Sequence, residues 1–372
     1  METLLFAALQ WLHTEGNRIV NESNETVILR GVNLERREYI YKSSPGINYE
    51  TKAIPIVAGN PPNGWGANFI LIAFASGPVN RGDQQYLGFL DEIVQKAKEN
   101  GAYTLLAYRY KEPNGDQPAM PDQDAQDALA TLALRYKSEP AVLYGLQVEP
   151  SRVSWAELKP RFISMIDAIR ANNSRALIAV PGTQWSRYVH HQVENPIDRE
   201  NLIFKSHPYD SWDTIQKEYR FDEMLNAGYP LLLGEFGAGS QMSLGNVENL
   251  LEYANTKGIS WAAWMFSDEA CPCLLADRTT FEPTPYGALI KTFLTPISPP
   301  VIPPSPPPLI PPRAPPLPPP LPVTPPPQET AIYPVIRPGA TSNDGASSVV
   351  LTLITIFLLA LALFLLIKKT RP

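Results

Sequence analysis

The sequence predicts an α/β chain: a (β/α)8 TIM barrel, followed by a disordered proline-rich linker and one transmembrane helix. Three observations carry this prediction. Eight short apolar runs, separated mostly by helix-patterned segments or long loops, are spaced across residues 11–295. Residues 296–338 hold about half of the chain's 40 prolines, a composition that cannot bury a core and that favours polyproline II. Val349–Ile367 is apolar throughout and uncharged, long enough at about 1.5 Å per residue to cross a hydrocarbon core of about 30 Å.

The barrel elements follow in order. Thr26–Asn33 and Ala67–Phe74 read as the first two strands, being rich in Val, Ile and Phe. A helix over Gln84–Asn100 presents Leu87, Leu90, Ile93, Val94 and Ala97 on one face, with Gly101 as its stop. Strand Tyr103–Tyr108, a helix over Ala125–Tyr136 and strand Val142–Gln147 come next. Ser154-Trp-Ala-Glu157 is a capping box, opening a helix with Phe162, Met165, Ile166 and Ile169 at helical spacing. Strands Ala176–Val180 and Leu202–Lys205, one helix over Thr214–Asn226, strand Leu231–Leu233, helix Asn246–Lys257 and strand Ser260–Phe266 complete the series. No Gly-rich phosphate loop follows the first strand, which argues against an open dinucleotide-binding sheet.

Composition narrows the class of function. Among 372 residues the net charge is −6, without acidic or basic blocks, so nothing points to nucleic acid as a partner. The two cysteines, Cys271 and Cys273, exclude a disulfide framework and lack the second ligand pair of a structural zinc site; they read as small loop residues able to oxidise. His190 and His191, read as strand neighbours, would point to opposite sides, so no paired-histidine metal motif is present. Neither metal nor cofactor is called for.

Beyond the barrel, residues 296–348 form the predicted stalk, 349–367 the span and 368–372 a basic tail. Lys368, Lys369 and Arg371 place that tail on the cytoplasmic side, with the barrel outside the cell. The first ten residues lack the basic and apolar regions of a signal peptide, so export calls for a start further upstream; a tail-anchored barrel facing the cytosol is the alternative.

In a TIM barrel, side chains just past the C-terminal strand ends converge on one mouth. Glu149 follows the fourth strand and Glu235 the seventh. A pair of carboxylates so placed is what glycosidic bond cleavage requires, one to protonate the leaving oxygen and one to attack the sugar. Asn33, Arg109, His207, Tyr209 and Trp264 fall at equivalent positions on the first, third, sixth and eighth strands and are the candidate substrate-binding residues. Trp185 and Trp212 are further candidate sugar platforms.

At these residues the chain resembles the glycoside hydrolase family 5 cellulases across residues 11–295. The matching motifs are Leu29-Arg-Gly-Val-Asn33, Glu149-Pro150, His207-Pro-Tyr209, Gly234-Glu-Phe-Gly237, Trp261-Ala-Ala-Trp264 and Pro283-Thr-Pro-Tyr-Gly287. The resemblance implies Glu149 as general acid/base, with a raised pKa, and Glu235 as nucleophile. His207 and Tyr209 would position substrate and nucleophile, and Trp264 would carry a sugar ring. Three positions depart from the family pattern: Leu71 replaces an arginine, Arg109 a histidine, and Val148 the asparagine that bonds the sugar 2-hydroxyl. Arg109 is expected to reach Glu235 and supply the cation that Leu71 cannot.

The expected function is therefore a retaining O-glycoside hydrolase acting on β-linked glycans (a polysaccharide or oligosaccharide) at the cell membrane. The alternative is a catalytically inactive carbohydrate-binding or adhesion module on a membrane tether.

Overall fold

A computed structural model describes residues 8–34, 49–113, 115–239 and 241–294. The predicted stalk, membrane span and basic tail lie outside the described residues. Among the described residues, no helix is long and apolar enough to cross a membrane.

Eight parallel strands close into a barrel, in chain order: β3 (Arg30–Leu34), β4 (Phe69–Ala75), β5 (Tyr103–Tyr110), β6 (Val142–Gly145), β7 (Ile178–Pro181), β8 (Leu202–Ser206), β9 (Leu231–Leu233) and β10 (Ser260–Phe266). Closure is made by β10 against β3, with Trp261 opposite Arg30 and Ala263 opposite Val32. All eight expected strands are present, each within a few residues of its expected bounds. Gly31 is required at the first seam, because a Cβ there would lie 1.7 Å from the Phe69 carbonyl oxygen.

An antiparallel hairpin, β1 (His13–Glu15) and β2 (Arg18–Val20), precedes the barrel and turns at Gly16, φ 57°. Its Leu12 and Ile19 join Leu29, Phe69, Leu71, Leu105, Leu143, Ile203 and Leu232 in an apolar cluster inside the barrel. The Tyr103 hydroxyl donates to the Gln10 carbonyl at 2.8 Å. The hairpin thus closes the end of the barrel opposite the mouth and leaves the strands' C-terminal ends open.

The outer layer follows the expected pattern. Helix α1 (Tyr49–Ala58) and the short α2 (Ser76–Asn80) precede α3 (Gln84–Glu99), which buries Leu87, Leu90, Ile93, Val94 and Ala97. Asp83 caps α3 by accepting from the Gln85 and Tyr86 amides, a contact worth about 1 kcal/mol. Helices α4 (Gln123–Arg135) and α5 (Trp155–Asn172) come next, and the Ser154–Glu157 capping box is present. After it come α6 (His191–Glu194), α7 (Trp212–Glu218), α8 (Phe221–Asn226), α9 (Leu244–Lys257) and α10 (Pro285–Leu294).

Two expectations are corrected here. The single helix expected over Thr214–Asn226 is broken into α7 and α8 by Arg220, whose φ of 55° is left-handed and which pairs with Glu194 and Glu223. His190 and His191 lie at the start of α6, not on a strand, with ring centroids 4.5 Å apart. A last hairpin, β11 (Leu275–Asp277) and β12 (Glu282–Pro283), follows the Cys271–Cys273 disulfide in the loop after β10.

Candidate active site

The loop after β6 carries Glu149, and every backbone carbonyl around that residue is held. The Val148 carbonyl accepts from Ser186 Oγ at 2.7 Å and from Lys205 Nζ at 3.1 Å. The Glu149 carbonyl accepts from Gln117 Nε2 at 2.6 Å, and the Pro150 carbonyl from the Trp185 amide at 2.8 Å. Glu235 follows β9 and the tight Gly234; its side chain is only 4% exposed, against 17% for Glu149. A carboxylate oxygen of Glu149, one of Glu235 and a ring nitrogen of His207 all lie within 4.8 Å of one another. The two glutamates singled out from the sequence therefore meet.

His207 Nδ1 is 2.9 Å from Glu149 Oε1 and 3.7 Å from Glu235 Oε2. Its ring orients the acid/base candidate more directly than the nucleophile candidate. Tyr209 donates its hydroxyl to Glu235 Oε2 over a long 3.5 Å. Arg109 Nη1 lies 3.7 Å from Glu235 Oε1 and Nη2 lies 4.0 Å from Glu149 Oε2. The guanidinium also sits 5.4 Å from the Trp264 ring centroid. Arg109 thus reaches Glu235 from β5, across the barrel from β9, while Leu71 on the adjacent β4 is buried in the apolar floor below.

Asn33 differs from its expected part. It is 1% exposed, and its amide donates to the Gly234 carbonyl at 2.9 Å and the Ala262 carbonyl at 3.2 Å. Its donors are spent tying β3 to the Glu235 strand end, so it braces the nucleophile candidate. Trp212 is likewise turned away, with its ring packed 5.4 Å from that of Tyr253. Val148 is 1% exposed and packs into the inner cluster, leaving no polar group where the family has asparagine.

Trp185 remains at the mouth, 50% exposed. It lies in a single helical turn, Thr183–Ser186, in which Gln184, Trp185 and Ser186 take left-handed φ of 48°, 57° and 61°. Such a conformation costs energy and persists only where surrounding contacts enforce it. Here the Trp185 amide and the Thr183–Tyr188 bridge do so. A cavity of about 320 Å³ is lined by Glu149, Trp185, Arg187, His207, Tyr209 and Gln241. A second, also about 320 Å³, shares Tyr209 and Gln241 and runs along Gly237–Gly239 to Cys271 and Pro272.

Charge is unevenly compensated. Burial, with the Glu149 charge beside it, pushes Glu235 up to about 8, against the pull of Arg109 and Lys205. Burial raises Glu149 too, but the His207 hydrogen bond and the charges around it outweigh that and leave it below the ordinary glutamate value. The expectation of a raised Glu149 is thus corrected: without sugar, the proton that two close carboxylates must share rests toward Glu235. Burial, reinforced by Lys205, lowers His207 to about 4, so its ring is neutral at pH 7. Glu149, His207 and Glu235 are spaced closely enough for an ion, but the cations of Arg109 and Lys205 already act on the same carboxylates and oppose it.

Lys205 escaped the sequence reading of the site. The one available signal was a lysine inside the apolar run Leu-Ile-Phe-Lys-Ser. Asp210, directly after His207-Pro-Tyr209, also lines the first cavity and pairs with Arg187.

An eight-stranded parallel barrel with two carboxylates facing each other at its C-terminal mouth defines a (β/α)8 protein with the constellation of a glycosidase. The cellulase (glycosyl hydrolase family 5) profile matches residues 58–270, more than half of the chain, and the chain belongs to that family. It is 23% identical over 271 residues to endoglucanase N of Pectobacterium atrosepticum, covering 70% of this chain and 58% of that protein. It is 24% identical over 216 residues to endoglucanase A of Evansella cellulosilytica, covering 54% and 44%. The chain thus spans about half the length of these curated relatives. In fold it is similar to a β-glucanase of Saccharophagus degradans solved in complex with cellotetraose, with TM-score 0.67, 22% identity and coverage of 79% of this chain and 94% of that one.

Proposed function

We propose that the protein is a retaining β-glucanase, hydrolysing β-linked glucans by double displacement with Glu235 as nucleophile and Glu149 as general acid/base. The observation that carries this reading is the carboxylate pair. Oxygens within 4.8 Å suit the roughly 5–5.5 Å carboxyl separation of retaining enzymes and fall short of the roughly 6.5–9.5 Å that admits an attacking water in inverting ones. The family and the endoglucanase relatives support the substrate class.

In the first step Glu235 attacks the anomeric carbon while the glycosidic C–O bond breaks and Glu149 protonates the departing oxygen. In the second, Glu149 takes a proton from water, the water oxygen bonds to the anomeric carbon, and Glu235 leaves as carboxylate. Sugar must first draw the shared proton from Glu235 to Glu149. Covering Glu149 removes its solvent, the glycosidic oxygen accepts its O–H, and positive charge growing at the anomeric carbon favours ionised Glu235. Arg109 stabilises that ionised form, and His207 holds Glu149 in orientation. The exposed Trp185, which lines the cavity beside Glu149, offers a face for a sugar ring, and Trp264 stands beside Arg109. With Val148 in place of asparagine, the sugar 2-hydroxyl lacks one partner that strengthens in the transition state.

The same reading places the enzyme at the cell membrane, tethered by the proline-rich residues 296–348 and the apolar 349–367 with the barrel outside. Protease treatment of intact cells checks this, because a barrel that resists until lysis contradicts it. For activity, the full chain is assayed on cellulosic, mixed-linkage and mannan substrates beside Glu149→Gln and Glu235→Gln, with product anomers followed by NMR. β-Glucan turnover that starts from the β-anomer and is lost in both variants supports the reading. Sugar binding without turnover on any substrate replaces it with a binding module.

A further inference from the structure

We propose that Lys205 is a positioning residue of the glycosidase site: its buried ammonium braces the two strand ends that carry Glu149 and Glu235 and supplies a second fixed cation facing them. This rests on the glycosidase reading above.

The placement is unusual for a lysine. Lys205 lies on β8 and is fully buried. Its strand neighbours Leu202 and Phe204 face the outer core and Ile203 the inner one, so alternation sends Lys205 into the barrel, one layer beneath His207. Its Nζ donates to the Val148 carbonyl, the residue directly before Glu149. Its stem lies across Gly234, the residue directly before Glu235: a Cβ on Gly234 would stand 2.5 Å from Lys205 Cγ and 2.6 Å from Cδ. Gly234 cannot yield, because its amide donates to the Ser206 carbonyl at 2.7 Å and its carbonyl accepts from Asn33. One side chain therefore spans from the end of β6 to the end of β9, and the glycine of Gly234-Glu235 is the space it uses.

Burying an ammonium costs far more than burying an apolar residue of the same size unless opposite charge compensates it. The groups that face it from the surrounding elements are Glu149, Glu235, His207 and the cation of Arg109. Of that set Glu149 supplies the negative charge at neutral pH, and Glu235 adds a second when it ionises. Arg109 approaches Glu235 from β5, and Lys205 acts on both carboxylates from β8. Together they furnish the positive field on a barrel whose second strand offers only Leu71.

The test compares the full chain with Lys205→Met and Lys205→Gln. Removing the cation should move the acid limb of the kcat/KM profile upward by roughly one pH unit, since ionised Glu235 loses an opposite charge. kcat should fall by about 10-fold through misplacement of the pair, with KM nearly unchanged. Lys205→Gln keeps a donor for the Val148 carbonyl, so it should retain more kcat than Lys205→Met while showing the same limb shift. A purely structural lysine would lower thermal stability and leave the limb in place, and that result in either folded variant overturns the proposal. Carbon-13 titration of the wild-type protein gives a reading independent of turnover and of variant folding. Lys205 Cε and the Glu235 carboxyl should report a shared titration step, and independent steps overturn the proposal. A wild-type chain without glucan turnover would sink the glycosidase reading alone and leave this titration to decide on Lys205.

Discussion

The end of β6 and the end of β9 each present one glutamate to the same few ångströms, and they hold it by different forces. Around Glu149 the backbone is pinned by Ser186, Lys205, Gln117 and Trp185, and the carboxylate makes a 2.9 Å contact with His207 while keeping some solvent. Around Glu235 hydrogen bonds are scarce among the described residues: Oε1 is buried with none and Oε2 has the 3.5 Å contact from Tyr209. Charge takes their place, from Arg109 at 3.7 Å and from the buried Lys205. A carboxylate that is oriented and wet can exchange protons. One that is dry and poorly hydrogen-bonded is costly to ionise and reactive once ionised. That contrast supports the division of labour proposed above, with Glu149 as acid/base and Glu235 as nucleophile.

Exchanging the two groups for neutral ones should give the largest effects. Glu235→Gln should lose about 10⁴-fold or more in kcat, because no covalent intermediate can form. Glu149→Gln should lose about 10²–10⁴-fold on glucans. On aryl cellobiosides with good leaving groups, Glu149→Gln should keep a fast first burst, since those leaving groups need no proton. Equal losses of both variants on both substrates would erase the contrast.

Arg109→Met comes next. Removing the nearest cation to Glu235 should cut kcat/KM at pH 6 by about 10-fold and raise the acid limb by roughly one unit. A pH–rate series checks this, and a limb that stays in place would show that hydrogen bonds, not charge, hold Glu235.

Smaller, and opposite in sign to the loss of activity, is the effect of Glu235 on stability. Its folded value of about 8 lies above the unfolded value near 4.5, so the folded chain binds the extra proton. The wild type therefore loses stability as pH rises from about 4.5 to 8, whereas Glu235→Gln does not. Calorimetry should find the variant's advantage in Tm growing with pH over that window. A difference independent of pH would contradict the dry Glu235 site. Smallest should be Trp185→Ala, on the Glu149 side of the mouth. Losing one exposed ring face should raise KM on long glucans several-fold, about 1 kcal/mol, with kcat within a factor of two.

Much of this was legible in the sequence. The eight strands stood out because each is a short apolar run, most of them set between helical patterns or long loops, and Glu149 and Glu235 because each follows such a run. The approach of Arg109 to Glu235 was expected from the family resemblance, in which Leu71 takes the place of an arginine. What escaped depends on which way a side chain points inside a doubly covered strand. Every residue of β8 is buried, so no polar alternation separates inner from outer faces, and Lys205 gave no sign of facing the site. Asn33 sits at a strand end as expected, but its consumption by the Gly234 and Ala262 carbonyls follows from contacts more than 200 residues away in sequence. The break at Arg220 is set by its pairing with Glu194 and Glu223, which overrides a continuous helical pattern.

The central claim, that Glu235 is the nucleophile of a retaining glucanase, is tested most directly by trapping. The full chain is incubated with a 2-deoxy-2-fluoro-β-cellobioside bearing a good leaving group, and its mass and peptides are mapped. The account predicts one glycosyl adduct per chain, on Glu235, that slowly disappears with water. An adduct on Glu149, or glucan turnover with inverted products and no adduct, would contradict it.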